Sequence, residues 1–362
     1  MKKEKKTNGN RLNLIICGIA FVVMLIYLFV FDKPEEVLKA LRSLNPLYFC
    51  VCVAFMAGYW FCESATVHSI LKGLHPQAKF SNTFTNTIIG QYFNCITPSA
   101  SGGQPMQAYY FVKMGVPLSA GLTALFSRFI VYQFVLTIYS IVTLCIGFGQ
   151  FGAELSSKGL MPFVFIGFGV NTIVIIFLLG IALWKSGTAK VINFFITLLT
   201  KMKIIKHPMK YRVIVSREIN KFNNNFKFLK KNVPIIIKSC IFTTLQLTIY
   251  LSISYVLYKA FGLEGTGLLK VISYQAFVLM ISSFVPLPGA AEIGYTGFFK
   301  DIFGEYIGVS TMLWRILTFY LPIIVGMVFM LTLKKRGIGQ PTADDIKNNV
   351  LIEEEIGEEN EN

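Results

Sequence analysis

The sequence predicts an all-α polytopic membrane protein with about six full spans and two re-entrant helical hairpins arranged as an inverted repeat. Three observations carry that prediction. Of 362 residues, 54% are hydrophobic and 15% charged, where soluble domains average about 25% charged residues. Apolar runs of 20 residues or more recur, long enough to cross a hydrocarbon core of roughly 30 Å. Two shorter apolar stretches are broken midway by Pro and Gly, which lipid tolerates only where protein or a water-filled cavity satisfies the freed amides.

In chain order, the basic segment 1–11 flanks a first uncharged run at 12–31. By the positive-inside rule that flank is cytoplasmic. Segment 32–46 balances its charges and reads as a short outer-surface helix. Residues 47–71 return through the membrane with Glu63 towards their inner end, and 72–79 form a basic inner turn. The first hairpin occupies 80–115, its arms too short to span alone. Residues 118–147 form a long apolar helix with one charge, Arg128; 148–160 suits the outside and 161–184 crosses back. Segment 185–232 holds twelve basic residues and one acidic residue, so it belongs on the cytoplasmic side. Within it, 191–205 reads as a helix lying in the interface, attracted to an anionic membrane surface, with a plain positive-inside loop as the alternative. Residues 233–261 cross outward, 269–301 form the second hairpin, and 309–333 cross inward with a single charge, Arg315. Both termini are then cytoplasmic, and the acidic tail 337–362 is expected to be disordered.

The totals exclude several classes. The net charge of +15 becomes +22 once the tail, with eight acidic residues and one lysine, is set aside. That excess lies beside the spans and in one loop, which argues for membrane orientation and against nucleic acid. The seven cysteines lack metal-ligand spacing and sit in apolar segments. His68, His75 and His207 are not clustered, and no nucleophile set, paired carboxylates or phosphate-binding nucleotide loop is present. No cofactor is expected.

The breaks carry the candidate site. Aligning Gly102 with Gly289 places Pro98-Ser-Ala-Ser-Gly-Gly-Gln over Val285-Pro-Leu-Pro-Gly-Ala-Ala, and each glycine is followed 26 residues later by an arginine, Arg128 and Arg315. The repeat units run over about 47–184 and 233–336, opening to opposite sides. Inverted repeats of this kind form transport sites where broken helices meet near the midplane. The second arm of each hairpin starts just after its break, so two helix N-termini point unpaired N–H groups inward. Ser99, Ser101, Gln104 and Gln107 add neutral donors, Gly102 and Gly103 allow close backbone approach, and Asn94 and Thr97 cap the first arm or join the site. Arg128 and Arg315 are costly in a bilayer and mark a phosphate ligand or an ion pair, with Glu63 and Glu292 the natural partners. Glu292 alternatively meets an ammonium group on a lipid headgroup. The candidate binding set is therefore Asn94, Thr97, Ser99, Ser101, Gly102, Gly103, Gln104, Gln107, Arg128, Gly289, Glu292 and Arg315.

The motif FNCITPSASGGQPMQAYYFVKMGVP, the downstream Arg128, and FVPLPGAAEIGYTGFF resemble the membrane domain of the bacterial lysylphosphatidylglycerol synthase/flippase family over residues 10–335. The resemblance implies a lipid translocator in the bacterial inner membrane that moves aminoacylated phosphatidylglycerol between leaflets and protects against cationic antimicrobial peptides. In full-length members a separate soluble domain charges the lipid from aminoacyl-tRNA. The 26 residues after the last span cannot form that domain, so the lysyltransferase activity implied by the family label would need another chain. The second motif has Ala-Ala-Glu where relatives commonly continue with more glycine. The expected substrate is a phosphate-bearing phospholipid. Transport of a small anion and a scaffold for a separate lipid-modifying enzyme are the competing readings, and self-association stays open.

Overall fold

The computed structural model describes residues 42, 44–97, 100–183, 197, 208–282 and 289–335. It is an all-helical membrane protein, with no strand among the described residues and five stretches long and apolar enough to cross a membrane. The first expected span (12–31), the outer helix at 32–46 except for its last few residues, the interfacial segment 191–205 except Thr197, and the acidic tail lie outside the described residues.

Pro46–Leu74 (α1) is the first described span. Its start is fixed by Asn45, whose Oδ1 accepts from the Leu47 N–H at 3.0 Å, and by Pro46 in the first turn. Phe80–Ile96 (α2) and Gly103–Lys113 (α3) are the arms of the first hairpin. Leu118–Ser157 (α4) carries Arg128. It outruns the span expected at 118–147 by ten residues, because nothing breaks it before Gly159, which adopts φ 66°. Met161–Leu183 (α5) returns.

Pro208–Lys231 (α6) is a continuous helix inside what the sequence suggests is a loop. Leu229 and Asn223 are buried, and Phe222 meets Phe126 of α4 edge-on at 5.6 Å. Packing of one face, rather than propensity, holds this Asn-rich helix together. Val233–Ala260 (α7) is the next span. Leu268–Ser282 (α8) and Ala290–Phe303 (α9) form the second hairpin. Gly304, at φ 54°, turns the chain into Ile307–Arg315 (α10). A π-helical turn over Ile316–Tyr320 leads into Leu321–Lys335 (α11).

The helix starts recur along the chain. α1, α2, α3 and α4 begin at 46, 80, 103 and 118; α7, α8, α9 and α10 begin at 233, 268, 290 and 307. Every pair matches the separation of Gly102 from Gly289 to within two residues. Packing is reciprocal in the same way. α2 lies against α11 from the other half, while α8 lies against α4; α1 meets the π-helical turn, while α7 meets α4. The two leading helices, α1 and α7, pack along their whole length. Asn45 N–H donates to the Ala260 carbonyl (2.9 Å), the Tyr59 and Tyr250 rings lie 5.2 Å apart, and Thr66 and Thr243 hydroxyls are 3.4 Å apart. As one chain number rises the other falls, so the matching helices run antiparallel.

The end of α4 is tied to the second hairpin by charge. Glu154 pairs with Lys158 (2.5 Å) and Lys270, and Lys158 reaches Asp301 at 2.5 Å. Partial burial by itself raises the Glu154 carboxyl, but the two ammonium groups outweigh it and hold the pKa below its usual 4.5. The stabilisation is present above 4.5 and is lost as pH falls through the lower folded value. Lowering the pH from about 5 to 3 is expected to reduce the thermal midpoint by an amount equivalent to about 1 kcal/mol or less, as befits a part-exposed network. Glu154→Gln should abolish that portion of the acid sensitivity in differential scanning fluorimetry.

Candidate functional site

The first break is built by two side chains and two glycines. Thr97, the residue just after the α2 arm, donates its hydroxyl to the Phe93 carbonyl (2.6 Å) and accepts from the Gly102 N–H (2.8 Å). A Cβ at Gly102 would lie 2.5 Å from Thr97 Cγ2, and one at Gly103 only 1.9 Å from Asn94 Oδ1. Asn94 and Thr97 therefore fill the volume that the glycines vacate. Ala100, at φ 53°, is the one described non-glycine residue in the left-handed region.

Gln107 is buried and joins the arms. Asn86 Nδ2 donates to the Gln107 carbonyl at 2.8 Å, and Gln107 Nε2 reaches back to the Asn86 carbonyl at 3.4 Å. Gly90 makes room, since a Cβ there would lie 2.4 Å from Gln107 Cδ. The neutral polar set thus divides: Asn94, Thr97 and Gln107 hold the hairpin, while Ser101 and Gln104 are exposed at its tip. Ser99 lies outside the described residues. At the second break, Gly289 adopts φ 89° immediately before α9, a conformation that only glycine takes without strain.

Both arginines are ion-paired. Arg128 Nη2 lies 3.0 Å from Glu63 Oε1, with side-chain exposures of 14% and 2%. Gln91 donates to the other Glu63 oxygen at 2.6 Å. Arg315 Nη2 lies 2.6 Å from Glu292 Oε2, with exposures of 19% and 30%. Each guanidinium also faces the ring four residues on: Tyr132 for Arg128 (6.0 Å) and Phe319 for Arg315 (5.9 Å). Trp314 lies under Arg315 as well, at 4.9 Å. The Nε atoms of both arginines are buried with no hydrogen-bond partner among the described residues. Tyr59, in ring contact with Tyr250, acts electrostatically on Glu63 and Arg128, and Tyr250 lies in the field of Arg315. The Tyr59–Tyr250 ring contact thus crosses the α1–α7 seam beside the Glu63–Arg128 pair.

The halves differ in where the carboxylate sits. By the Gly102–Gly289 correspondence, Glu63 matches Tyr250, and Glu292 matches Pro105. The first half holds its arginine from the long leading helix, the second from the first turn of a hairpin arm.

Sequence reasoning anticipated both arginines and their carboxylate partners but passed over Gln91, Asn86, Tyr59, Tyr132 and Tyr250. Only the aromatic four residues after each arginine leaves a local signal, because positions i and i+4 share a helix face. No group of His, Cys, Asp and Glu among the described residues is disposed to hold a metal.

Helices of spanning length, paired hairpins and ionised residues enclosed among them define a polytopic α-helical membrane protein. The family model for the lysylphosphatidylglycerol synthase TM region matches residues 15–326, and the chain belongs to that family. It is 26% identical over 344 residues to a UPF0104 membrane protein of Methanocaldococcus jannaschii, covering 89% of this chain and 94% of that one. A UPF0104 membrane protein of Archaeoglobus fulgidus is 22% identical over 325 residues, covering 87% and 94%. No solved structure matches.

Proposed function

We propose that this chain is a lipid translocase of the bacterial inner membrane. It binds the phosphate of a phospholipid such as phosphatidylglycerol or its lysyl derivative and passes it between leaflets, contributing to resistance against cationic peptides. The observation that carries the reading is the matched pair Arg128 and Arg315. Each pairs with a carboxylate and faces at least one aromatic ring, and each keeps an Nε with no hydrogen-bond partner among the described residues. A phosphate can take the place of the carboxylate on a guanidinium through two parallel hydrogen bonds.

The matching helix starts, the reciprocal packing and the antiparallel α1–α7 pair support an inverted repeat. Such a repeat lets the same site face either leaflet. The clustered lysines of α6 and the start of α7 support a cytoplasmic orientation for that end of the bundle and, with it, cytoplasmic termini.

The test uses the purified chain in liposomes carrying fluorescently tailed phosphatidylglycerol or lysylphosphatidylglycerol, with dithionite reporting outer-leaflet accessibility. Wild type should expose lipid protected in empty vesicles, and Arg128→Ala and Arg315→Gln should both return the rate to the empty-vesicle value. Equal rates in wild type, variants and empty vesicles would overturn lipid translocation. Saturable uptake of a soluble anion in the same vesicles, without lipid movement, would move the assignment to small-anion transport.

A further inference from the structure

The cytoplasmic end of the seam carries a cluster of cations that the arginine site does not use. Gly73 of α1 approaches α7 so closely that a Cβ there would lie 2.5 Å from the Ile235 side chain. That contact places Lys72 beside the first turns of α7. Lys238, one turn after Ile235, and Lys72 both lie close enough to His68 to act on it electrostatically. His68 Nδ1 is 3.3 Å from Thr83 Oγ1 at the start of the α2 arm, and its ring meets Phe80 edge-on at 5.4 Å. The cluster therefore sits where α1, α7 and the mouth of the first hairpin converge.

Lys72 and Lys238 are exposed, as are Lys227, Lys230 and Lys231 on the adjoining end of α6. None of these lysines meets a carboxylate among the described residues, and the sequence contains no acidic residue between Glu218 and Glu264. Exposed apolar side chains adjoin them on the same helices: Phe228, Val233, Ile237 and Ile241. Cations bordering an apolar, lipid-facing strip match the phosphate and acyl chains of one molecule.

The opposite end of the seam is different. By the Gly102–Gly289 correspondence, Lys72 matches Lys259, His68 matches Tyr255, Thr83 matches Lys270 and Lys238 matches Val51. Lys259 there donates to the Leu263 carbonyl at 3.3 Å and lies over the Tyr255 and Tyr258 rings. Lys270 is neutralised by Glu154. Lys238 lies over the Phe242 ring at 5.9 Å, much as Lys259 lies over its tyrosines, so the ends differ in the carboxylate: Glu154 neutralises Lys270 at one end, and none meets the lysines of the other among the described residues.

We infer that Lys72 and Lys238, with His68 beside them, form a capture site for anionic phospholipid headgroups of the cytoplasmic leaflet, separate from the arginine site and absent from the outer end. The proposal rests on the translocase reading for its purpose but not for its test, which measures binding. Capture at one end and none at the other gives the lipid a built-in direction of loading.

The full-length protein in detergent is titrated with short-chain phosphatidylglycerol, short-chain phosphatidylcholine and inorganic phosphate, followed by microscale thermophoresis. Phosphatidylglycerol should bind more tightly than phosphatidylcholine. Lys72→Gln/Lys238→Gln should weaken it about tenfold or more, as expected for two lost cations near a membrane surface. Lys72→Arg/Lys238→Arg should retain it, and Lys259→Gln at the opposite end of the seam should leave it in place. Equal affinity for both lipids, or unchanged affinity in the Gln double variant, overturns the capture site. So does an equal loss in Lys259→Gln, which would trace the affinity to overall charge and leave the translocase reading standing. Inorganic phosphate binding as tightly as phosphatidylglycerol would assign the cluster to a soluble anion and overturn the lipid. Translocation failure with selective binding intact would count against the translocase reading alone.

Discussion

Arg128→Ala should destabilise the protein by about 3–5 kcal/mol, because it strands a carboxylate in the interior. Glu63 has a side-chain exposure of only 2%, and its remaining neighbour Gln91 offers one neutral donor. Glu63→Gln/Arg128→Met should recover most of that loss. The Gln side chain keeps an acceptor for Gln91, and methionine covers the aliphatic volume of the arginine without a charge. Both variants should nevertheless fail to move lipid. Thermal unfolding in detergent, read beside the dithionite assay, separates the two roles. A double variant that regains stability and activity together would show that the arginine serves only the ion pair.

Gly326→Val should cost about 1–3 kcal/mol, the usual penalty for forcing volume into a closed contact. A Cβ at this position of α11 would lie 2.4 Å from Tyr92 Cβ on α2. Neither atom sits at the end of a flexible chain, so one whole helix must retreat. The contact joins the last helix of the second half to the hairpin of the first, so the same substitution should also loosen the hairpin and raise the reactivity of Cys95 towards maleimides. Gly169→Ala on α5 is the control. Nothing lies within 4 Å of its added methyl, and alanine favours a helix over glycine by about 1 kcal/mol, so stability should hold or rise. Comparable losses at both positions would show that the close approach is not what Gly326 provides.

Several features were legible in the sequence because they depend on local patterns. Apolar length marked the spans, Pro and Gly marked the hairpin tips, and lone charges in apolar runs marked Arg128 and Arg315. Pairing of those arginines with Glu63 and Glu292 followed from the scarcity of other carboxylates within the apolar segments. The supporting contacts were not legible, since they join residues that no periodicity connects. Gln91 meets Glu63 across 28 positions and Asn86 meets Gln107 across 21. Gln107 reads in sequence as a donor for a ligand, yet its amide clasps the opposite arm. The α6 helix was hidden by its composition: Asn223, Asn224 and Asn225 weaken its propensity, and only the fit of Phe222 and Leu229 beneath α4 and its neighbours makes it regular.

The different seating of the two carboxylates makes the halves mechanically unequal. Glu63 rides on α1, which packs along its length against α7, so the counter-ion of Arg128 belongs to the packed seam and not to a hairpin arm. Glu292 rides on the first turn of α9, directly after the left-handed Gly289. Any displacement of that arm carries the negative charge away from Arg315 and leaves a bare guanidinium behind. In the proposed translocase, phosphate would therefore share Arg128 with a carboxylate on a packed helix, whereas at Arg315 the position of the arm would set how far the carboxylate gives way.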